Sequence, residues 1–324
     1  MLTVALHGGY FLRRQYCYAI GTQSGGNAAA LVDKLLTLKH ASVTVGCNNT
    51  KLYHLCSRPF YAALGEEDNR NRRERPPFAI KNRLMGLDYV LGHPENTYLA
   101  TEREKVDFFT GTLSIERSLL PVKRFVSQQS KATTDRYFVD KYPIFITPGD
   151  DQKAPQVSFC YVDEGVITGS RFGSYLRQYR SLFLALVKFN LIYVSASDRL
   201  FQAAERDFRH FIANLESTAN GTKTEAQEVR MAEYFESRAL YESQQLDSFD
   251  RARLIQLRND REWFSGPRYE ALYHTWKTSG EAAILENSKV PHTNQTSIPA
   301  TFSTHLLKQD FQLFGSPPRA SNGA

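Results

Sequence analysis

The spacing of the apolar residues changes from helical to alternating early in the chain, and this change limits the folds open to the N-terminus. Apolar residues recur at helical spacing over 10–20 and 27–38, and the polar, glycine-containing turn 21–26 separates the two runs. Over 41–55 they alternate instead, in two runs on either side of the turn residues 46–50. We therefore expect two short helices joined by a turn, followed by a β-hairpin.

A third helix should follow the hairpin. Ser57 is a suitable N-cap, Pro59 suits the first helical turn, and Gly65 closes the apolar run. The order helix, turn, helix, hairpin, helix resembles the winged helix-turn-helix superfamily, and we assign residues 1–68 to such a domain. Only residues 2–6 could supply the helix that normally precedes the pair, so we expect a shortened or truncated first helix. The buried stripe of the second helix in the pair is expected to be Leu31, Leu35 and Leu38.

The positive charge of the chain is concentrated at the same end. Residues 1–90 contain 12 Lys and Arg against 6 Asp and Glu, whereas the remaining 234 residues contain 28 of each. The whole net charge of +6 therefore lies in the N-terminal part. A localised basic excess is the pattern expected of a segment that contacts phosphates.

The resemblance implies a binding site for double-stranded DNA. The start of the second helix carries Gln23, Ser24 and Asn27, whose side chains can hydrogen-bond base edges. Contacts to phosphates or to a flanking groove are expected from Arg13, Arg14, Lys34, Asn48, Asn49 and Lys51. Two other interpretations remain open, namely a winged helix that contacts protein and a solvated surface role for each polar residue taken singly.

Residues 69–129 are expected to contain a basic linker and connecting helices. The segment 70–77 is poor in apolar residues and ends in a proline pair, so it either follows the DNA backbone as an arm or is simply solvated. Apolar residues at helical spacing over 80–91 predict one helix. A capping box from Thr101 to Glu104 opens another.

Residues 130–215 alternate between strand-like and helix-like patterns, which predicts a βαβ unit with a parallel pair and hence an α/β domain. The predicted elements are one or two short strands over 136–146, a buried strand over 157–162, a helix over 172–187, a strand over 191–195 and a helix over 198–215. With the N-terminal domain and further helices near the C-terminus, the predicted fold class is α+β.

Acidic residues at strand ends make a Mg²⁺-dependent nuclease of the restriction-endonuclease-like fold the main alternative function. Such an enzyme holds the metal between two carboxylates and positions the attacking water with a lysine two residues after the second acid. Asp140, Asp163 and Glu164 could supply the acids, but Gly165 and Val166 occupy the positions where the lysine is expected.

Only a displaced Lys141, Lys153 or Arg171 could replace that lysine. In a purely structural interpretation, the acids lie in a turn at the strand end and form ion pairs with Arg171 or Arg177. We favour this alternative and expect a nuclease-like domain with no catalytic residue. Cys47, His54 and Cys56 match no usual zinc spacing, so we also expect no metal and no cofactor.

The location of the protein follows from its cysteines and its apolar runs. The four cysteines form no C-x-x-C pair and are typical of small buried side chains in a reducing compartment. No run of eighteen apolar residues is present, and the first nine residues lack the pattern of a signal peptide. We expect a cytoplasmic protein with no membrane contact.

The C-terminal third should be helical and then irregular. Charged, strongly helical patterns over 224–245 and 250–277 predict a helical extension over 216–280. It suits either a simple appendage or a surface for a homodimer. Residues 281–324 are rich in Ser, Thr, Asn and Pro, so we expect a largely disordered tail.

The chain as a whole resembles the replication-relaxation or mobilisation-associated proteins of bacterial plasmids and integrative elements. The segments that carry the resemblance are 51–55, 60–65, 161–165 and 175–179. It implies a DNA-binding accessory or regulatory protein of a mobile element, acting in plasmid replication, mobilisation or transcription control. The same resemblance implies other mobile-element proteins as alternative partners to a second copy of the chain. A non-catalytic protein-interaction module is the third function that the sequence leaves open.

Overall fold

The N-terminal domain is built around a three-stranded antiparallel sheet of strand order β1-β3-β2. The computed structural model describes residues 1–22, 26–126, 133–147, 156–164, 170–219, 224–244, 249–264, 266–280, 299–309 and 311. In this domain the elements in chain order are α1 (Leu2–His7), β1 (Tyr10–Leu12), α2 (Arg13–Ala19), α3 (Gly26–Thr37), β2 (Ala41–Val45), β3 (Lys51–Leu55) and α4 (Arg58–Ala62). The predicted hairpin and the helix capped by Ser57 are confirmed.

The first predicted helix begins later than its apolar spacing indicated. Tyr10 to Leu12 form β1, which pairs with β3 and has all three side chains buried. The side chain of Gln15 accepts a hydrogen bond from the Leu12 N–H at 2.9 Å, and the helix starts at Arg13. Pairing with a distant strand has therefore overridden the local helical pattern.

The buried stripe of α3 agrees with the prediction only in part: Leu35 is buried and Leu31 is partly buried against the same cluster, but Leu38 is not. Ala28, Val32 and Leu35 are buried against the sheet, whereas Leu38 is 52% exposed. Two neighbouring apolar stripes were available on this helix, and hydrophobicity alone does not choose between them. The stripe with the small Ala28 is the one that packs.

Residues 69–72 pack into the fold and form neither the solvated linker nor the arm along DNA, the two interpretations that the sequence left open. Asn71 is fully buried, and its side-chain amide donates to the carbonyls of Ala5 and Leu6 at 2.9 and 2.8 Å. The Asn71 carbonyl accepts a hydrogen bond from the His54 ring at 2.8 Å. Gly9 has φ of +76°, and a Cβ there would lie 2.6 Å from this carbonyl oxygen. The close approach explains why a glycine occupies position 9.

Helix α5 (Pro77–Gly92) joins the N-terminal domain to the rest of the protein. Its buried residues Ile80, Leu84 and Met85 share one apolar cluster with Tyr10 of β1 and with Val162 of the central sheet. The predicted connecting helix therefore exists, and it is a core element between two sheets.

The central region contains a five-stranded sheet of order β10-β9-β8-β7-β4 and a separate β5-β6 hairpin. The capping box of α6 is confirmed by reciprocal hydrogen bonds between Thr101 and Glu104. The elements in chain order are β4 (Thr97–Tyr98), α6 (Glu102–Asp107), β5 (Val122–Val126), β6 (Thr133–Tyr137), β7 (Ile144–Thr147), β8 (Gln156–Asp163), α7 (Ser170–Gln178), α8 (Arg180–Ala185), β9 (Phe189–Ser195) and α9 (Phe201–Ala219).

The parallel β8-β9 pair of the predicted βαβ unit is confirmed, although two helices, α7 and α8, replace the single one expected between them. The last strand, β10 (Ala300–Leu306), pairs in parallel with β9. This part of the expected disordered tail is therefore an ordered edge strand. The tail residues 281–298 and 312–324 lie outside the described residues.

Three helices form the predicted C-terminal extension: α10 (Thr224–Glu242), α11 (Arg251–Trp263) and α12 (Pro267–Ser279). They surround a small apolar cluster that includes Phe235, Phe264 and Tyr273. The fold is thus mixed α+β. Among the helices in the described ranges, none combines the length and apolar character needed to cross a membrane.

Candidate nucleic-acid interface

The exposed face of α3 carries two of the residues predicted to contact DNA. Asn27 and Lys34 are exposed, whereas Ala28, Val32 and Leu35 face the sheet. Seven residues correspond to about two helical turns, so Asn27 and Lys34 lie on the same face. Predicted residues Gln23 and Ser24 lie outside the described residues.

The turn between β2 and β3 presents the other polar residues. Asn48 and Asn49 are exposed and both have φ of +55°, a conformation that asparagine tolerates better than most residues. The Gly46 N–H donates to the Thr50 carbonyl at 2.8 Å and closes the turn. Lys51 follows as the exposed first residue of β3. The turn is therefore a defined projection with two amide side chains and one cation.

The two arginines at the start of α2 differ in their surroundings. Arg13 is exposed. Arg14 forms an ion pair with Asp88 of α5 at 2.9 Å, and its guanidinium lies 5.1 Å from the centre of the Phe311 ring. Burial raises the pKa of Asp88, and the nearby Arg14 and Gln15 oppose that rise. Arg14 therefore has a structural role at the contact between α2 and α5.

Positive charge strongly exceeds negative charge in the first 65 residues of the N-terminal domain. Residues 1–65 contain six Lys and Arg and one acidic residue, Asp33. Glu66, Glu67 and Asp68 follow, so the predicted domain over 1–68 contains six basic and four acidic residues. Residues 69–90 carry most of the basic excess noted above, and the basic part of the domain is the segment 1–65. Its field should attract polyanions at low ionic strength.

Two of the three acids considered for a nuclease site, Asp163 and Glu164, contact other side chains. Tyr193 donates a hydrogen bond of 2.7 Å to the buried carboxylate of Asp163. Glu164 lies 3.1 Å from the Lys81 ammonium group, a partner that the sequence did not indicate. Both acids line a cavity of about 350 Å³ together with Asp140. Within the described ranges, no three His, Cys, Asp or Glu side chains form a group that could hold a metal ion.

Of the residues considered for a zinc site, His54 has a structural role. His54 is buried, hydrogen-bonded to Asn71 and stacked on Tyr10 with ring centres 4.0 Å apart. Burial lowers the pKa of His54. All four cysteines lie in described ranges and are free.

Sequence reasoning missed a second cationic site, a cleft between residues 65–75 and the central region that is lined by Arg70, Arg75, Arg83, Arg136 and Lys141. The basic run that begins at Arg70 was a partial signal. The other cleft residues, Arg83, Arg136 and Lys141, are spread over the chain and show no recognisable spacing.

Comparisons of this chain with protein-family models, with curated proteins and with solved structures find no match. The function is therefore inferred from the residues and the geometry described above.

Proposed function

We propose that this protein binds double-stranded DNA through a winged helix-turn-helix at its N-terminus. The proposal is supported by the order α1, β1, α2, α3, β2, β3 and by the sheet order β1-β3-β2, which are typical of winged helices. The observation that carries it is the exposed polar face of α3 beside a projecting hairpin, within the segment 1–65, which contains six basic residues and one acidic residue.

In this proposal α3 enters the major groove and the hairpin contacts the flanking backbone or groove. Asn27 reads a base edge, and we propose the same role for Gln23 and Ser24, which lie outside the described residues. Arg13, Lys34 and Lys51 contact phosphates, with Asn48 and Asn49 at the tip of the wing. Arg14 supports the domain through Asp88 and is left out of the contact set.

The test uses the full chain and a labelled duplex of about 25 base pairs, with binding followed by fluorescence anisotropy over a series of salt concentrations. Affinity should fall steeply between about 50 and 200 mM salt, because phosphate contacts release counterions. Lys34→Gln and Lys51→Gln should each weaken binding and reduce the salt slope by about one. Lys188→Gln is the matched control, since Lys188 is exposed and lies outside the domain.

Wild-type protein that fails to bind at low salt, or a control that weakens binding as much as Lys34→Gln, would refute the proposal. Both outcomes can be read only when circular dichroism shows that each variant is folded. We further propose a cytoplasmic role as an accessory or regulatory protein of a bacterial mobile element. The mobile-element role is supported only by the resemblance of segments 51–55, 60–65, 161–165 and 175–179, and the location by the cysteine and apolar patterns.

Contact with protein through the same domain is the second candidate function, and one observation favours it. β2 is an edge strand on which Val43 and Val45 are 43% and 61% exposed. An edge strand with exposed apolar side chains can pair with another chain. If it forms a homodimer, Val43→Thr with Val45→Thr should shift the protein to monomer in sedimentation equilibrium and leave the binding of single DNA half-sites unchanged.

A further inference from the structure

A cleft of about 710 Å³ separates the N-terminal domain from the β5-β6 hairpin and α6. We call it the arginine cleft and define it by Arg70, Arg75, Arg83, Arg117, Arg136 and Lys141. These residues come from the loop after α4, the segment that leads into α5, α5 itself, the turn before β5, β6 and the loop before β7. The cleft lies apart from the predicted contact residues on α3 and the hairpin, none of which lines it.

The cations of the arginine cleft are poorly matched by carboxylates. Glu66, Glu67, Asp68, Glu102 and Asp107 also line it. Glu102 alone contacts one of the cations, with its carboxylate 3.5 Å from the Arg136 guanidinium. Across the part of the chain that the structure describes, Arg70, Arg75, Arg83 and Lys141 form no ion pair.

Two guanidinium nitrogens of the arginine cleft also lack a hydrogen-bond acceptor within the described part of the chain. The Nε atoms of Arg75 and Arg136 are buried and have no hydrogen-bond partner among the described residues. A buried donor without an acceptor costs about 1–3 kcal/mol. The described residues alone therefore leave these two guanidinium groups incompletely hydrogen-bonded.

Three cations of the arginine cleft have lowered pKa values, and burial is the largest cause for each of them. Burial lowers the pKa of Arg83 to about 10, and repulsion from Arg75 adds to the effect. Burial lowers the pKa of Lys141 to about 8. The pKa of Arg70 is lowered by burial and then by repulsion from Arg136. A bound anion would oppose the part of these shifts that comes from repulsion between the cations.

Aromatic rings hold two of the guanidinium groups in place. Arg70 lies 5.3 Å from the centre of the Phe125 ring, and Arg117 lies 4.9 Å from that of Tyr137. A guanidinium stacked on a ring keeps its N–H edge free for a planar or tetrahedral anion. The rings also border the cleft, where they could stack on a base.

We propose that the arginine cleft binds a phosphate group carried by a nucleotide, either a free nucleotide or a nucleotide of a single-stranded nucleic acid. Clustered arginines suit phosphate because each can donate two parallel hydrogen bonds. The volume lies within the range of about 300–1,000 Å³ that is usual for small-ligand sites. The site is independent of the proposed duplex-binding face.

The experiment uses isothermal titration of the full chain with four separate probes: AMP, ATP, inorganic phosphate and an eight-nucleotide single strand. A probe carrying a nucleotide should bind in a 1:1 complex. Arg70→Gln and Lys141→Gln should each weaken binding at least tenfold, and Arg70→Lys should retain part of it. Arg199→Gln and Lys188→Gln are matched controls, because both residues are exposed and lie outside the cleft.

The probes distinguish the two sources of phosphate. Saturable binding of AMP or ATP identifies a free nucleotide, whereas binding of the single strand alone, weakened by the cleft variants, identifies a nucleic-acid phosphate. The proposal is overturned if no nucleotide probe binds below about 10 mM, or if cleft and control variants bind alike. As a check independent of calorimetry, the bound probe should raise the unfolding temperature of wild type and of Arg199→Gln more than that of Arg70→Gln. Duplex binding should remain sensitive to Lys34→Gln and unaffected by Arg70→Gln.

Discussion

The guanidinium of Arg14 lies 2.9 Å from the carboxylate of Asp88, and this pair joins α2 to α5. The side-chain amide of Gln15 donates to the same carboxylate at 2.6 Å. The side chain of Asp88 is only 12% exposed. Since α5 also packs against the central sheet, this contact fixes the N-terminal domain relative to the rest of the protein.

Arg14→Ala should therefore lower the free energy of unfolding, by about 1–2 kcal/mol, because it leaves a largely buried carboxylate without its cation. Urea unfolding measures the change. Arg13→Ala is the neighbouring control, with an expected change within about 0.5 kcal/mol since Arg13 is exposed. Equal losses in the two variants would contradict the assigned role of Arg14.

Asn27 and Lys34 should make different kinds of contact if α3 is a recognition helix. Asn27→Ala should reduce the preference for a specific site over random DNA by about 1–3 kcal/mol, because a bidentate contact to adenine is lost. Lys34→Ala should weaken all sequences alike. Competition binding with specific and random duplexes measures both effects, and equal losses on both duplexes in both variants would show that the recognition helix is assigned wrongly.

Lys105 should make stability depend on pH. It is 3% exposed, its ammonium group donates to the Tyr142 carbonyl at 3.2 Å, and burial lowers its pKa to about 7. The unfolded chain binds its proton up to about pH 10.5, so the contribution of Lys105 to the free energy of unfolding should rise between these two pH values and be lowest below pH 7.

Lys105→Met should accordingly be more stable than wild type by about 1–2 kcal/mol at pH 6. The advantage should shrink as the pH rises towards 10. The measurement is the difference between the two unfolding free energies, taken from urea titrations at several pH values. A difference that stays constant from pH 6 to pH 10 would show that Lys105 does not titrate in this range.

The Asp163 and Glu164 carboxylates should support no phosphodiester hydrolysis. Asp163 accepts a hydrogen bond from Tyr193, and Glu164 pairs with Lys81. Supercoiled plasmid incubated with the protein and Mg²⁺ or Mn²⁺ should stay intact, as it should with Asp163→Asn and Glu164→Gln. Nicking by wild type that disappears in either variant would make these acids metal ligands and reverse the conclusion.

Phosphate binding in the arginine cleft should weaken at alkaline pH. Lys141 must be protonated to attract an anion, and its pKa is lowered to about 8 by burial. Among the charged groups that act on it, Glu102 and Glu66 favour the proton, whereas Arg83 and Arg136 oppose it. AMP affinity should fall as the pH passes through 8, and Lys141→Arg should flatten this profile. An unchanged profile in Lys141→Arg would exclude Lys141 as the titrating group.

Much of the local structure could be predicted because its causes lie within a few residues. Ser57 caps α4 through the Phe60 N–H, and Thr101 and Glu104 cap α6 reciprocally. Alternating side chains and a turn of residues that tolerate positive φ were enough to predict the β2-β3 hairpin. The parallel β8-β9 pair followed from strand and helix lengths.

Some features of the candidate duplex-binding face were predicted from the sequence, and others required the tertiary structure. The sequence alone predicted that α3 and the hairpin exist and carry Asn27, Lys34 and Lys51. It did not determine how far the buried side of α3 extends, because Leu38 continues the apolar stripe and yet is exposed. It also offered no reason to separate Arg13 from Arg14, since only the position of Asp88 does so.

The sequence by itself thus determined the elements whose signals are local, namely periodicity, caps and turns. Tertiary structure alone decided which distant groups meet: Lys81 with Glu164, 83 residues apart, β10 with β9, and the arginines of the cleft. Such contacts depend on how whole elements pack and on the charge and solvent exposure that packing creates. Neither quantity is a property of any short stretch of sequence, because burial and electrostatic interaction act through space.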